Sequence, residues 1–195
     1  MVSKGRQRER DLMAFPRAKQ GPVVYVEGGA KGELAVKARR AFGKLFEQLR
    51  LPMRPRVFAC GGRTATFERF AEHLASRSDD VVLLVDSEEV RRLGPWAHVK
   101  HRDGWSRPSA AKDSDLCFMA VVMETWCLAE LDRSGVHLEE VAKTDVYDRL
   151  ERATKGKWDS RQKAASFDWL EQVSAQRLRQ RCSEFDRAAK RLGAS

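Results

Sequence analysis

At 195 residues the chain allows one domain of ordinary size plus extensions, given roughly 100–200 residues per domain. With 42% hydrophobic and 33% charged residues it reads as globular and cytoplasmic. No apolar run approaches the roughly 20 residues of a transmembrane helix, and the charged N-terminus has no apolar core of a secretory signal. Cys60, Cys117, Cys127 and Cys182 lack CxxC spacing, so reduced thiols are expected rather than a zinc ribbon or a disulfide scaffold.

The net charge of +9 is unevenly distributed. Residues 1–20 carry Lys4, Arg6, Arg8, Arg10, Arg17 and Lys19 against Glu9 and Asp11. Residues 149–195 carry twelve basic and six acidic residues, and the body between them is close to neutral. Two basic ends on a neutral body suit a polyanion such as nucleic acid, and they equally suit plain solvation.

In chain order, residues 1–20 lack periodic hydrophobicity and are expected to be a flexible basic segment. Val23 to Val26 is a β-branched and aromatic run read as a buried strand ending at Glu27, with Gly28-Gly29 as its break. Phe42, Leu45, Phe46 and Leu49 form the stripe of an amphipathic helix. The unit then repeats: Val57 to Cys60 as strand, Gly61-Gly62 as turn, and Phe67, Phe70, Ala71 and Leu74 as helical stripe. Val81 to Val85 is a third strand, ending at Asp86. A loop holding Trp96 and Trp105 is expected next, then a strand over Phe118 to Met123 ending at Glu124, then a helix with Trp126 and Leu131.

From about Val141 the chain reads as helical, with a seam through Phe167, Leu170, Val173, Leu178, Cys182, Phe185, Ala189 and Leu192 and no glycine or proline from Lys157 to Leu192. Apolar strands alternating with helices predict an α/β protein with a mainly parallel, Rossmann-like sheet covered on both faces. The expected division is a flexible segment 1–20, an α/β domain 21–148 and a basic helical extension 149–195.

Three strands ending in acids carry the chemistry: Glu27, Asp86 with Glu88, and Glu124. Ligands of open parallel sheets bind beyond the carboxyl ends of the strands, and Asp86 and Glu88 share a face if their strand continues. Two carboxylates about 4 Å apart repel by about 4 kcal/mol at an effective dielectric of 20. Such a cluster takes up protons, pairs with Lys or Arg, or binds a cation; hard oxygen donors select Mg²⁺ or Mn²⁺. The bland alternative is a set of polar strand ends leaving the core.

The blocks Val26-Glu27-Gly28-Gly29, Ala59-Cys60-Gly61-Gly62-Arg63, Leu84-Val85-Asp86-Ser87-Glu88, Pro95-Trp96, Asp103-Gly104-Trp105 and Val122-Met123-Glu124-Thr125-Trp126 resemble a bacterial Toprim-like family of unassigned function. That family is related to OLD-type nucleases, and its members are often encoded beside ABC-type ATPases in anti-phage defence loci. The resemblance spans about Val23 to Leu170. It implies Glu27 as general acid/base, Asp86 and Glu88 as ligands of Mg²⁺ or Mn²⁺, and Glu89 and Glu124 as supporting acids; the cation is expected to bind at Glu27, Asp86 and Glu88 together. Glu88 stands where the commoner Asp-x-Asp has its second aspartate.

The resemblance therefore implies a metal-dependent nuclease working with an ABC-type ATPase. The alternative is a degenerate, non-catalytic Toprim module that binds nucleic acid or the ATPase as sensor or regulator. A phosphoacceptor role for Asp86 is weaker, because no Asp-x-Asp-x-Thr follows. Candidate nucleic-acid contacts are Arg63, Lys155, Lys157, Arg177, Arg179 and Arg181. Trp96, His98, Asp103 and Trp105 are candidate substrate contacts, with packing as the competing role. No membrane partner is expected, and self-association is left open.

Overall fold

The computed structural model describes residues 20–29, 31–76, 80–159 and 163–195. The expected flexible segment 1–20 lies outside them save for Gln20. Four strands form one all-parallel sheet: β1 Val23–Val26, β2 Arg56–Ala59, β3 Val81–Val85 and β4 Leu116–Phe118. Eight α-helices are present among the described residues: α1 Gly32–Glu47, α2 Arg63–Ser76, α3 Pro95–Asp103, α4 Glu124–Leu131, α5 Lys143–Ala153, α6 Lys163–Leu170, α7 Ala175–Arg181 and α8 Ser183–Arg191. Among them none is long and apolar enough to cross a membrane.

Alternate residues of β1 feed two cores, as the two-residue period of a strand requires. Val24 and Val26 face a large core holding Phe42, Leu45 and Phe46 of α1 and Trp126 of α4. Val23 and Tyr25 face a smaller one holding Phe70 of α2 and Trp96 and Val99 of α3. The sheet is thus covered on both faces.

The C-terminal residues belong to the first of these cores. Phe167, Leu170, Leu178, Cys182 and Phe185 are buried in the same cluster as Val24 and Val82, so the described helices of the C-terminal part pack as part of the body. The seam is also not one continuous element. Ser174 caps α7 by accepting from Arg177 N at 3.3 Å, and Cys182 adopts extended backbone between α7 and α8. Three short helices bend the seam around the core where one straight helix would leave it. Gln48, just past α1, pins the turn before α7 by donating to Val173 O and accepting from Ala175 N, each at 3.0 Å.

Two expectations are corrected. The strand expected over Phe118 to Met123 stops at Phe118, and Met119 to Met123 is a buried turn with Ala120 at φ 56°. Glu124 therefore opens α4 instead of ending a strand. The loop expected around Trp96 is largely α3, with Pro95 in its first turn and left-handed Gly104 closing it.

The strand order is β2-β1-β3-β4. The chain leaves β1 toward β2 on one side and returns to β3 on the other. This reversal opens a crevice beyond the carboxyl ends of β1 and β3.

Candidate metal centre

Glu27 leaves β1 and Asp86 leaves β3, so adjacent strands deliver both acids to this crevice. Glu27 N donates to Leu84 O at 3.0 Å, and Asp86 N donates to Glu27 Oε2 at 3.1 Å. The buried turn after β4 holds the next residues: Ser87 N donates to Ala120 O at 2.9 Å and Glu88 N to Val121 O at 2.7 Å. The strand does not continue past Val85. A left-handed backbone at Glu88, φ 68°, returns its side chain to the crevice; sheet alternation does not. One carboxylate oxygen each from Glu27, Asp86 and Glu88 lies within 4.8 Å of the others. Three carboxylate oxygens this close together are the kind of hard donor set that can hold a divalent cation.

Two cations border the acids. Arg63 grips Asp103 with two hydrogen bonds, 3.0 Å from Nε and 2.8 Å from Nη2. Its Nη1 donates to Asp86 O and stands 3.6 Å from Glu27 Oε2, and the ring of Trp105 lies 5.0 Å from its guanidinium carbon. Lys143, the first residue of α5, donates to Glu88 Oε2. Burial raises the Glu27 carboxyl above its usual range, and the bond from Asp86 N and the charge of Arg63 only partly offset this. Asp86 is pushed well above its usual range, first by burial and then by the charges of Glu27, Glu124 and Glu88. Asp86 Oδ1 is buried without a hydrogen-bond partner. An orphaned carboxylate oxygen among three hard donors fits a divalent cation, and the residues do not discriminate between metals of this class.

Beside the acids is a cavity of about 340 Å³. Gly28, Gly29, Gly61 and Gly62 form part of its wall, and Gly28 and Gly61 exchange backbone bonds of 2.7 and 3.2 Å across the strand ends. Gly28 has φ +110°, and a Cβ there would stand 3.1 Å from Phe167 Cζ. The glycine is therefore needed both for its backbone and for the approach of α6.

Of the remaining expected site residues, Glu124 lines the cavity, while Glu89 is exposed, with its carboxylate 3.9 Å from His98 Nδ1 and outside the acid cluster. Trp96 and Trp105 are packed away: Trp96 donates to Lys112 O at 3.2 Å, and Trp105 stacks on Phe67 at 4.5 Å. His98 is buried and donates from Nε2 to Ser87 O at 3.0 Å, which supports the acid loop from behind. Asp103 orients Arg63, and Arg63 is itself part of the acid site.

Lys155 and Lys157 are exposed. Arg177 pairs with Glu130 at 2.8 Å and Arg179 with Asp186 at 2.7 Å. Arg181 points inward, donating to the carbonyls of Leu128, Ala129, Asp132 and Val136 at the end of α4 and beyond. Lys143, Tyr147 and Phe167 carry no motif signal, yet the fold adds all three to the cavity.

Fold and site together define a parallel α/β protein with an acidic triad able to hold a metal ion at the switch point of its sheet. No family model, curated protein or solved structure matches the chain.

Proposed function

We propose that the protein is a divalent-metal-dependent nuclease of Toprim type, hydrolysing phosphodiester bonds. The observation that carries this reading is the convergence of Glu27, Asp86 and Glu88 in one crevice, with Asp86 Oδ1 buried and unpartnered. Asp86 and Glu88 would hold Mg²⁺ or Mn²⁺. Such a cation, when bound, supplies Lewis-acid polarisation of the phosphate and a more acidic water. Glu27, whose carboxyl is raised by burial, is the group that moves a proton. Arg63 fixes the backbone of Asp86, and Lys143 balances Glu88. The motif resemblance extends the proposal: the protein acts as effector of an anti-phage defence system with an ABC-type ATPase, in the cytoplasm, where its thiols stay reduced.

One observation favours a second reading. Lys143 already neutralises Glu88 and Arg63 stands beside Glu27, so the acids can persist as a metal-free charge network in a non-catalytic module that binds nucleic acid or the ATPase. The deciding experiment incubates end-labelled single-stranded and duplex DNA and RNA with purified protein, alone and with the ATPase, in Mg²⁺, Mn²⁺ or EDTA. Cleavage that requires the metal and is lost in Asp86→Asn is expected. No cleavage under any condition leaves the module.

A further inference from the structure

The cavity is lined by Glu27, Asp86, Glu88 and Glu124 and also by a set of apolar and aromatic side chains. The latter are Leu34, Val122, Met123, Tyr147 and Phe167. Tyr147 is a supported ring: it stacks on Trp158 with centroids 5.4 Å apart and planes 20° apart, and Trp158 is buried and takes no part in the cavity wall. Lys143 lies four residues before Tyr147 on α5, which places both on one helix face, and Lys143 pairs with Glu88. Phe167 comes from α6 and Tyr147 from α5, so both aromatic rings are supplied by helices, while Glu27 and Asp86 leave strand ends.

A volume of about 340 Å³ is a space about 7 Å across, at the lower end of small-ligand pockets. A base pair within a duplex does not enter a space of this size. A single nucleotide offers a phosphate to a cation held by the acids and a flat aromatic base to Tyr147 and Phe167. We propose that the cavity takes one unpaired nucleotide, with its phosphate toward Glu27, Asp86 and Glu88 and its base against Tyr147 and Phe167, so that the substrate is single-stranded nucleic acid. The placement of the phosphate rests on the metal-dependent nuclease reading; the base subsite rests on the two aromatic rings. Bases stack on aromatic side chains with little regard to sequence, whereas a duplex must first unstack and unpair the nucleotide it presents.

The test is binding of the full-length protein to labelled, hydrolysis-resistant phosphorothioate oligonucleotides, followed by fluorescence anisotropy in Mg²⁺. Single-stranded DNA or RNA should bind about tenfold or more tightly than the matching duplex. Tyr147→Ala should weaken the single-strand affinity by about 5- to 150-fold, and Tyr147→Phe should restore it to within about twofold of wild type. Equal affinity for duplex and single strand in the wild type overturns the proposal, and needs no variant to fold. Unchanged affinity in a folded Tyr147→Ala protein, checked by circular dichroism, also overturns it.

A mononucleotide arm identifies the source: binding of a labelled mononucleotide, with no oligonucleotide bound, keeps the unpaired nucleotide as ligand but overturns the single-stranded chain. Tyr147-dependent single-strand binding without cleavage in any metal upholds this inference while removing the nuclease reading. Metal-dependent cleavage of duplex and single strand at equal rates does the reverse.

Discussion

Asp86 donates its backbone N–H to Glu27 Oε2 at 3.1 Å, so the acid leaving β1 is positioned by the chain leaving β3. The bond holds the two carboxyl groups together, in a crevice where burial raises both above their usual range, helped at Glu27 by the charge of Glu88 and at Asp86 by those of Glu27, Glu124 and Glu88. The charge of Arg63 offsets part of this. The site is therefore poised to take up a further cation or a proton.

Metal binding should stabilise the protein. At a free concentration of 100 times Kd, a cation bound only by the folded state adds about 2.7 kcal/mol, which at about 2–4 °C per kcal/mol for this chain length raises Tm by about 5–10 °C. Asp86→Asn should lose most of that shift in Mg²⁺ or Mn²⁺. Lys143→Ala should enlarge it, because the ammonium and the cation compete for Glu88. Equal shifts in wild type and Asp86→Asn would place the metal elsewhere.

The pH dependence of apo stability carries the same signature. The folded-state value of Asp86 lies above the ordinary aspartate range. Its protonation therefore favours the folded state fully below that range, and the contribution is lost as pH rises through the folded value. Asp86→Asn should be more stable than wild type at neutral pH, with the gap closing as pH falls toward about 4. Asp132, Glu171 and Asp186, held low by burial-opposed hydrogen bonds and ion pairs, lose stability in the opposite direction but are common to both proteins. Urea unfolding of the two proteins across pH measures the gap, and a constant gap contradicts the assignment.

Glu27→Gln keeps the size and polarity of the side chain and removes its basicity. If Glu27 moves a proton in the reaction, metal-dependent cleavage should fall by about 10²–10⁴-fold, with nucleic-acid affinity and folding close to wild type. In cells, the variant should lose protection against phage at equal expression. Full protection would end the nuclease reading.

Arg177 and Arg181 stand on one short helix but should behave differently. Arg181→Ala strips four carbonyls around the end of α4 of their donor and should cost about 1–3 kcal/mol in urea unfolding. Arg177→Ala removes an exposed ion pair with Glu130 and should change stability by less than about 0.5 kcal/mol. Equal losses would show that the inward course of Arg181 does not matter to folding.

Much of the architecture was legible in the chain. Val23 to Val26 and Val81 to Val85 are short β-branched runs followed by polar residues, and both are central strands. Phe118 to Met123 shows where that reading stops, because an apolar run looks the same in a ladder and in a buried turn. Helix α3 did carry a signal, proline in its first turn and glycine just past its end, outweighed by the loop-like composition around it.

By itself the sequence determined the parallel α/β class and the identity of the acids, because apolar periodicity and the residues that end a strand are local properties. Only the tertiary structure decided that β1 and β3 are neighbours, that Glu88 turns back through a left-handed backbone, and that Arg181 points inward while Lys143, Tyr147 and Phe167 join the cavity. Those choices are set by strand order and by competition among donors and acceptors distant in sequence, and neither leaves a periodic trace along the chain.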